Sequence, residues 1–312
     1  MEHNSSTTAE PQQETRRADR TKTSSVLATV LVILGVLVML YPVTSTLWNN
    51  HLATKAAQEY AKLEKDTPQE LKNKQWDNAH EYNKHRTTGP ILDPWLARFD
   101  KNNPDYQEYL SHLDTNEAMA RLIFPKIKAD LPIYHGTEND TLQRGLGHLF
   151  GSDLPVGGKS THSVITGHTG LANSTMFDHL NKAEKGDPFY VQVSGQKLKY
   201  VVDQIKVVLP TETEDLRPVQ GKDYITLITC TPYGINTHRL LVRGHQVPLE
   251  EEDHEIFDKN HGAGWQWWMY LLLAAAAVVV LMLLRWLLKN KRDRGSQEET
   301  EADNDERVGE DD

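Results

Sequence analysis

Two long uncharged runs, one near each end, constrain this 312-residue chain more than anything between them. The first is "SSVLATVLVILGVLVMLYPVTSTL", residues 24–47; the second opens with "WQWWMYLLLAAAAVVVLMLL" and is drawn over residues 265–288. Each supplies the roughly 20 mostly apolar residues that a helix needs to cross the hydrocarbon core of a bilayer. Trp265, Trp267, Trp268 and Tyr270 have the character of an interfacial aromatic belt. Arg16, Arg17, Arg20 and Lys22 precede the first run, and Arg285, Lys289, Lys291, Arg292 and Arg294 follow the second, while "EEEDHE" (250–255) is acidic. Basic residues gather on the cytoplasmic side of spanning helices, so both termini are expected in the cytoplasm and the segment between the spans outside the cell. The first run is long for a signal-peptide core and no A-x-A site follows it, so a retained anchor is expected, in a two-span protein of the cell membrane.

The layout that follows is a cytoplasmic tail (1–23), a span (24–47), a helical linker with a loop (48–119), a β domain (120–248), a juxtamembrane linker (249–264), a span (265–288) and an acidic cytoplasmic tail (289–312). The net charge of -10 argues against a nucleic-acid partner, which calls for a basic patch. The tail after Gly295 lacks apolar residues and is expected to be disordered. From His51 to Arg86, Leu52, Ala56, Tyr60 and Leu63 recur at helical steps, Pro68 allows a break, and a second helix begins near Glu70. In "TTGPILDPWLARFD" (87–100), Gly89, Pro90 and Pro94 exclude a regular helix and leave an apolar loop that must cover something or be covered. From Ala120 onward, "RLIFPKI", "LPIYHG", "HSVITGH", "PFYVQV", "KLKYVVDQIKVVLP", "YITLITC" and "RLLVRGHQV" alternate with Gly and Pro punctuation. Such spacing predicts a mainly β, closed or sandwich-like domain. "STMFDHLNKA" reads as one short helix between strands.

Cys230 is the only cysteine. Exported structural cysteines come in pairs, so a lone one is an intermolecular bridge, an inert buried thiol or a reactive nucleophile. As a nucleophile it needs a base or proton donor and a group that stabilises an oxyanion. Arg239 opens the strand-like run after Cys230 and reaches the same pocket if "TPYGINTH" is a hairpin-like loop; as a surface residue it would do neither. Arg243 shares its face but lies further along. For the base, His135, His148, His162, His168, His179, His238 and His245 all fall in the β region, and spacing leaves the choice open. His168, at a strand end between two glycines in "ITGHTGL", stands where catalytic side chains often do. His162 and His168 lack the spacing of paired zinc ligands, so no metal is expected.

At these residues a resemblance takes over. "FPKI", "LPIYHGT", "GLGHLFGSDLPVGG", "THSVITGHTGL", "MFDHL", "GDPFY" and "TLITCTPYGINTHRLLVRG" make the segment from Ala120 to Val247 resemble the sortases, and among them the class C, pilin-polymerising sortases of Gram-positive bacteria. "DPW" (Asp93, Pro94, Trp95) resembles the lid motif of that class. Thr169 departs from the pattern, since many relatives carry Arg in "GHRGL". The resemblance implies an eight-stranded sortase-type β-barrel with N-terminal helices and a lid loop, flanked by two transmembrane helices. It implies Cys230 as nucleophile, His168 as general acid/base, Arg239 as oxyanion or substrate stabiliser, and a lid that pairs Asp93 with Arg239 and sets Trp95 over Cys230. The implied reaction cleaves an LPxTG-type sorting signal between Thr and Gly through a thioacyl-enzyme and passes the acyl group to an amine. The implied partners are pilin subunits bearing that signal, an acceptor lysine and the lipid bilayer, with no cofactor. A non-catalytic scaffold tethered to the membrane would instead tolerate loss of Cys230. A papain-type protease is disfavoured because its Cys-before-His order is reversed here.

Overall fold

The computed structural model describes the backbone of residues 11–86, 91–95, 100 and 102–308, and side chains within 26–293 of these. The chain divides into two compact units, Ser45–Trp265 and the terminal stretches Met1–Thr44 with Gln266–Asp312.

The part of helix α1 (Pro11–Asp66) up to Thr44 and helix α5 (Trp267–Val308) belong to the terminal unit and carry most of the first apolar run and the second. Their apolar windows have mean hydropathies of 2.7 and 2.6, and both helices are long and apolar enough to cross a membrane. Val26, Leu31, Val38, Trp267, Leu271 and Leu281 are exposed along them. Water does not tolerate such an extended apolar surface uncovered. One expectation is overturned here: the backbone stays helical through residue 308 instead of becoming disordered after Gly295. The stretch has no proline and carries Glu298, Glu299, Glu301 and Glu306, and glutamate loses little rotamer freedom in a helix.

The larger unit is a closed barrel of eight strands: β1 (Ala120–Phe124), β2 (Ala129–His135), β3 (Leu146–His148), β4 (Thr161–Thr166), β5 (Pro188–Val193), β6 (Gln196–Val208), β7 (Asp223–Thr231) and β8 (His238–Val247). Their order around the barrel is β1-β2-β3-β4-β7-β8-β6-β5, with β1 pairing β5 to close it. Closure leaves no unpaired edge. Most neighbours are antiparallel; β2–β3 and β4–β7 run parallel. Seven strands answer to the runs read in the sequence. The eighth, β3, is three residues long inside "GLGHLFG", too short to show a period. "STMFDHLNKA" is mostly turns, with a single 3-10 turn at Leu180–Lys182 in place of the expected helix. Thr and Ser at its start and Asp178 in its middle favour side-chain bonds to the local backbone over helix.

Alternation divides the strands. Leu122, Phe124, Leu131, Ile133, Ile165, Phe189, Val191, Tyr200, Ile225, Leu227, Leu240 and Val242 fill the interior. Full burial of each aliphatic side chain stabilises the fold by about 1.5–3 kcal/mol. Val164, Ile228 and Leu241, one step out of phase, face outward and pack with Ile91, Leu149, Leu216, Val208 and Trp95 in a second cluster.

Helix α2 (Gln69–His85) follows α1 after a break at Pro68, α3 (Pro104–Leu110) precedes the barrel, and the short α4 (Asn139–Arg144) lies between β2 and β3. The buried face of α1 differs from the one expected: Asn50, Ala53, Thr54, Ala57, Tyr60 and Glu64 are buried, while Leu52 and Leu63 are exposed. Polar anchors decide the rotation. Tyr60 donates its hydroxyl to the Met119 carbonyl (3.2 Å) and accepts from Ser194 N–H (3.1 Å), and Glu64 accepts from Gly195 N–H.

Candidate active site

Strand register assembles the site. In the antiparallel pair β7–β8, Cys230 stands directly opposite Arg239. Directly opposed residues share a face with their Cβ atoms about 4.5–5.5 Å apart. The hairpin-like loop expected between them is present, with a cis Thr231–Pro232 bond. On the other side of β7, the parallel partner β4 pairs Thr166 with Ile228. Two residues further along each chain are His168 and Cys230. Beyond the paired residues the register is held by Gly167 N–H donating to the Ile228 carbonyl (3.1 Å) and by the Thr229 hydroxyl donating to the Gly167 carbonyl (2.8 Å). Cys230 is thus flanked by an imidazole-bearing turn on one side and a guanidinium on the other. All three belong to the outward face of the sheet, near one end of its strands. Cys230 is in phase with Ile228 and not with the interior residues Ile225 and Leu227, so the site faces outward from the barrel near the strand ends.

The loop described by residues 91–95 covers this face; residues 87–90 and 96–99 of the same stretch lie outside the described residues. Ile91 is buried in the outer cluster. Asp93 accepts from Arg239 twice, from Nε (2.6 Å) and Nη2 (3.1 Å), in a pair whose side chains are only 3% and 9% exposed. The same carboxylate accepts from Trp95 N–H (3.1 Å), so it forms both the local turn and the ion pair. The Pro94 carbonyl accepts from the Thr137 hydroxyl (3.0 Å). The Trp95 ring lies 4.6 Å from the guanidinium carbon of Arg239, and its Nε1 donates to His168 Nδ1 across 3.4 Å. Trp95 therefore contacts the two side chains that flank the sulfur. Among the described residues no hydrogen bond joins Cys230 Sγ to His168.

The electrostatics follow from this cover. Burial pushes the Cys230 thiol above its ordinary pKa; Arg239 opposes that, and Asp93 adds to it. Burial alone pulls His168 below the ordinary histidine value. Desolvation disfavours the charged form of each group. A neutral imidazole accepting at Nδ1 also suits the bond from Trp95. At neutral pH the covered site holds a thiol beside a neutral imidazole, and the Arg239 charge is spent on Asp93.

The other candidates are committed elsewhere. His148 is fully buried between the Tyr109 hydroxyl (3.0 Å) and the Asp153 carbonyl (2.8 Å). His162 lies between the Arg217 carbonyl and the Thr226 hydroxyl, and His135 bonds the His112 carbonyl. His245 stands 3.8 Å from Asp203, and His238 bonds Thr237. Arg243 pairs with Asp203 and lies over Tyr224.

With the barrel and this site described, comparison with known proteins becomes informative. The model of the Sortase domain matches residues 122–247. Sortase D of Bacillus subtilis (strain 168) is 31% identical over 159 residues, which cover 49% of this chain and 77% of the relative. The chain belongs to the sortase family. Sortases are cysteine transpeptidases, and this one is an enzyme of that kind. Its structural neighbours include class C sortases. Sortase C-1 from Actinomyces oris superposes with a TM-score of 0.55 at 56% identity, covering 57% of this chain and 99% of that one. Sortase C of Streptococcus pneumoniae, whose structure is described as informative on catalysis and pilin substrate specificity, gives 0.58 at 39% identity, covering 62% and 97%. This sortase thus carries the barrel of its class.

Proposed function

We propose that this sortase polymerises pilins from the outer face of the cell membrane, with Cys230, His168 and Arg239 as its catalytic residues. Cys230 attacks the Thr carbonyl of an LPxTG-type sorting signal. Arg239 donates to the oxygen that gains charge, and His168 takes the thiol proton during the attack and passes it to the departing glycine amine. The thioacyl-enzyme is then attacked by an amine, a pilin lysine, which forms an isopeptide bond and releases the thiol. In this reading Asp93, Pro94 and Trp95 are a lid. While it is closed, Arg239 cannot reach an oxyanion and the thiol stays protonated, so displacement of the lid both admits substrate and restores the charge that favours thiolate.

The observation that carries this reading is the cross-strand pair Cys230–Arg239 on the face to which Trp95 also brings His168. The test is intact-mass spectrometry of the full chain in detergent with an LPxTG peptide and a lysine-bearing acceptor. The wild type and the lid-open variant Asp93→Ala/Trp95→Ala are expected to show a thioacyl adduct and a ligated product. Cys230→Ala is expected to show neither. A ligated product from Cys230→Ala would end the proposal.

A further inference from the structure

His168 sits at the start of a loop whose far end returns to it. Phe177 N–H donates to the His168 carbonyl (2.9 Å), closing the loop at its base. Inside the loop, Asp178 accepts from Gly170 N–H (2.7 Å) and from the Thr169 hydroxyl (3.2 Å). The β7 side of His168 is pinned by the two bonds at Gly167 already described. Its other side is held from a distant part of the chain. Asn50, on α1, donates from Nδ2 to the Thr175 hydroxyl (2.8 Å) and accepts at Oδ1 from Thr175 N–H (2.9 Å), two bonds across 125 residues of sequence. Asn50 and Thr175 are both buried. Neighbouring bonds extend the clamp: Asn49 Nδ2 donates to the Asn173 carbonyl (2.8 Å) and the Thr46 hydroxyl to the Ala172 carbonyl (3.4 Å). The C-terminal linker joins at the same place. Asn50 Nδ2 also reaches the Ala263 carbonyl (3.5 Å), and a Cβ on Gly262 would collide with the Thr54 side chain.

We infer that Asn50 is a positioning residue for the sortase reaction: by gripping Thr175 it fixes the loop that aims the His168 imidazole at the leaving amine. The geometry supplies the reason. Thr175 is two residues before Phe177, whose N–H holds the His168 backbone, so freeing Thr175 loosens one of the two anchors of that backbone. Proton transfer to a leaving group is sensitive to placement, and a 1 Å error costs on the order of 100-fold in rate. Cys230 is anchored independently, by its pairing with Arg239 in the β7–β8 ladder, and does not depend on the clamp. Asn50 touches neither the sulfur nor the imidazole, so it acts through the loop. This inference rests on the assignment of His168 as the proton donor.

The experiment uses the full chain in detergent micelles, in the Asp93→Ala/Trp95→Ala background so that lid opening is not limiting. Asn50→Ala removes both bonds of the clamp; Thr175→Val removes the hydroxyl bond and keeps the N–H bond; Thr175→Ser keeps both. Thioacyl formation from an LPxTG peptide is followed together with alkylation of Cys230 by iodoacetamide. The expected result is a fall in kcat on the order of 10-fold or more for Asn50→Ala and a smaller fall for Thr175→Val. KM and the alkylation rate are expected to be unchanged, and Thr175→Ser to recover the rate. If Asn50→Ala fails to fold, Thr175→Val against Thr175→Ser decides alone. An unchanged kcat, or an equal fall in alkylation, overturns the inference. His168→Ala run alongside separates the two readings: if it acylates at the wild-type rate, the assignment of His168 fails; if it is inactive while the clamp variants are not, only the role of Asn50 fails.

Discussion

At the residue scale the chemistry turns on which charge Arg239 faces. Paired with Asp93, it is neutralised locally, and burial sets the thiol pKa upward. Removing the carboxylate takes away a group that raises that pKa and frees one that lowers it, so both changes have the same sign. The Asp93→Ala/Trp95→Ala variant is therefore expected to be alkylated faster than wild type at pH 7, with the midpoint of its rate-against-pH curve moved to lower pH. Stopped alkylation with mass detection measures both; superimposable curves would show that the loop does not govern the sulfur. Cys230 was legible in the sequence as a lone exported thiol, while spacing left Arg239 open until the β7–β8 register set the two opposite each other. Asp93 and Trp95 were visible only through a motif resemblance. Asn50 gave no signal, since an amide on a helix matters only when its partner, far away in sequence, is brought against it.

At the element scale, the strands that present the site enclose several neutral histidines. His148, in β3, has its pKa lowered to about 3 by burial, and burial also lowers His135 in β2 and His162 in β4. The unfolded chain takes up these protons near pH 6.5, while the folded chain resists the proton on His148 until about pH 3 and binds those on His135 and His162 at lower pH than usual. Below about pH 6.5 the unfolded state binds more protons, so stability is full above that pH and falls as the pH drops, by about 1.4 kcal/mol per pH unit for His148, with His135 and His162 adding in the same direction. Urea unfolding at pH 7.5, 6 and 5 is expected to show a falling midpoint. His148→Gln is expected to be less stable at pH 7.5 yet to lose less on acidification; equal slopes for the two proteins would dismiss His148 as a source. The pattern of runs announced seven of the eight strands. It could not announce β3, whose three residues are strand only because β2 and β4 flank them.

At the scale of the whole molecule, the proposed orientation places the barrel outside the cell and both termini within it. A single cysteine makes this directly measurable. In intact cells, a membrane-impermeant maleimide is expected to label Cys230 of the lid-open variant without permeabilisation. Labelling only after lysis would put the barrel on the cytoplasmic side. The acidic segment after residue 289, helical through residue 308, would then face the cytoplasm.

The sequence by itself determined the two apolar helices, the mainly β character between them and the residues able to do thiol chemistry, because these depend on local composition, period and residue type. Only the tertiary structure decided that the site faces outward from the barrel, that Trp95 meets both His168 and Arg239, and that α1 turns Asn50 and Glu64 inward in place of Leu52 and Leu63. Each of these is a pairing between side chains far apart in the chain. Such a pairing exists only once closure of the sheet has fixed register and face.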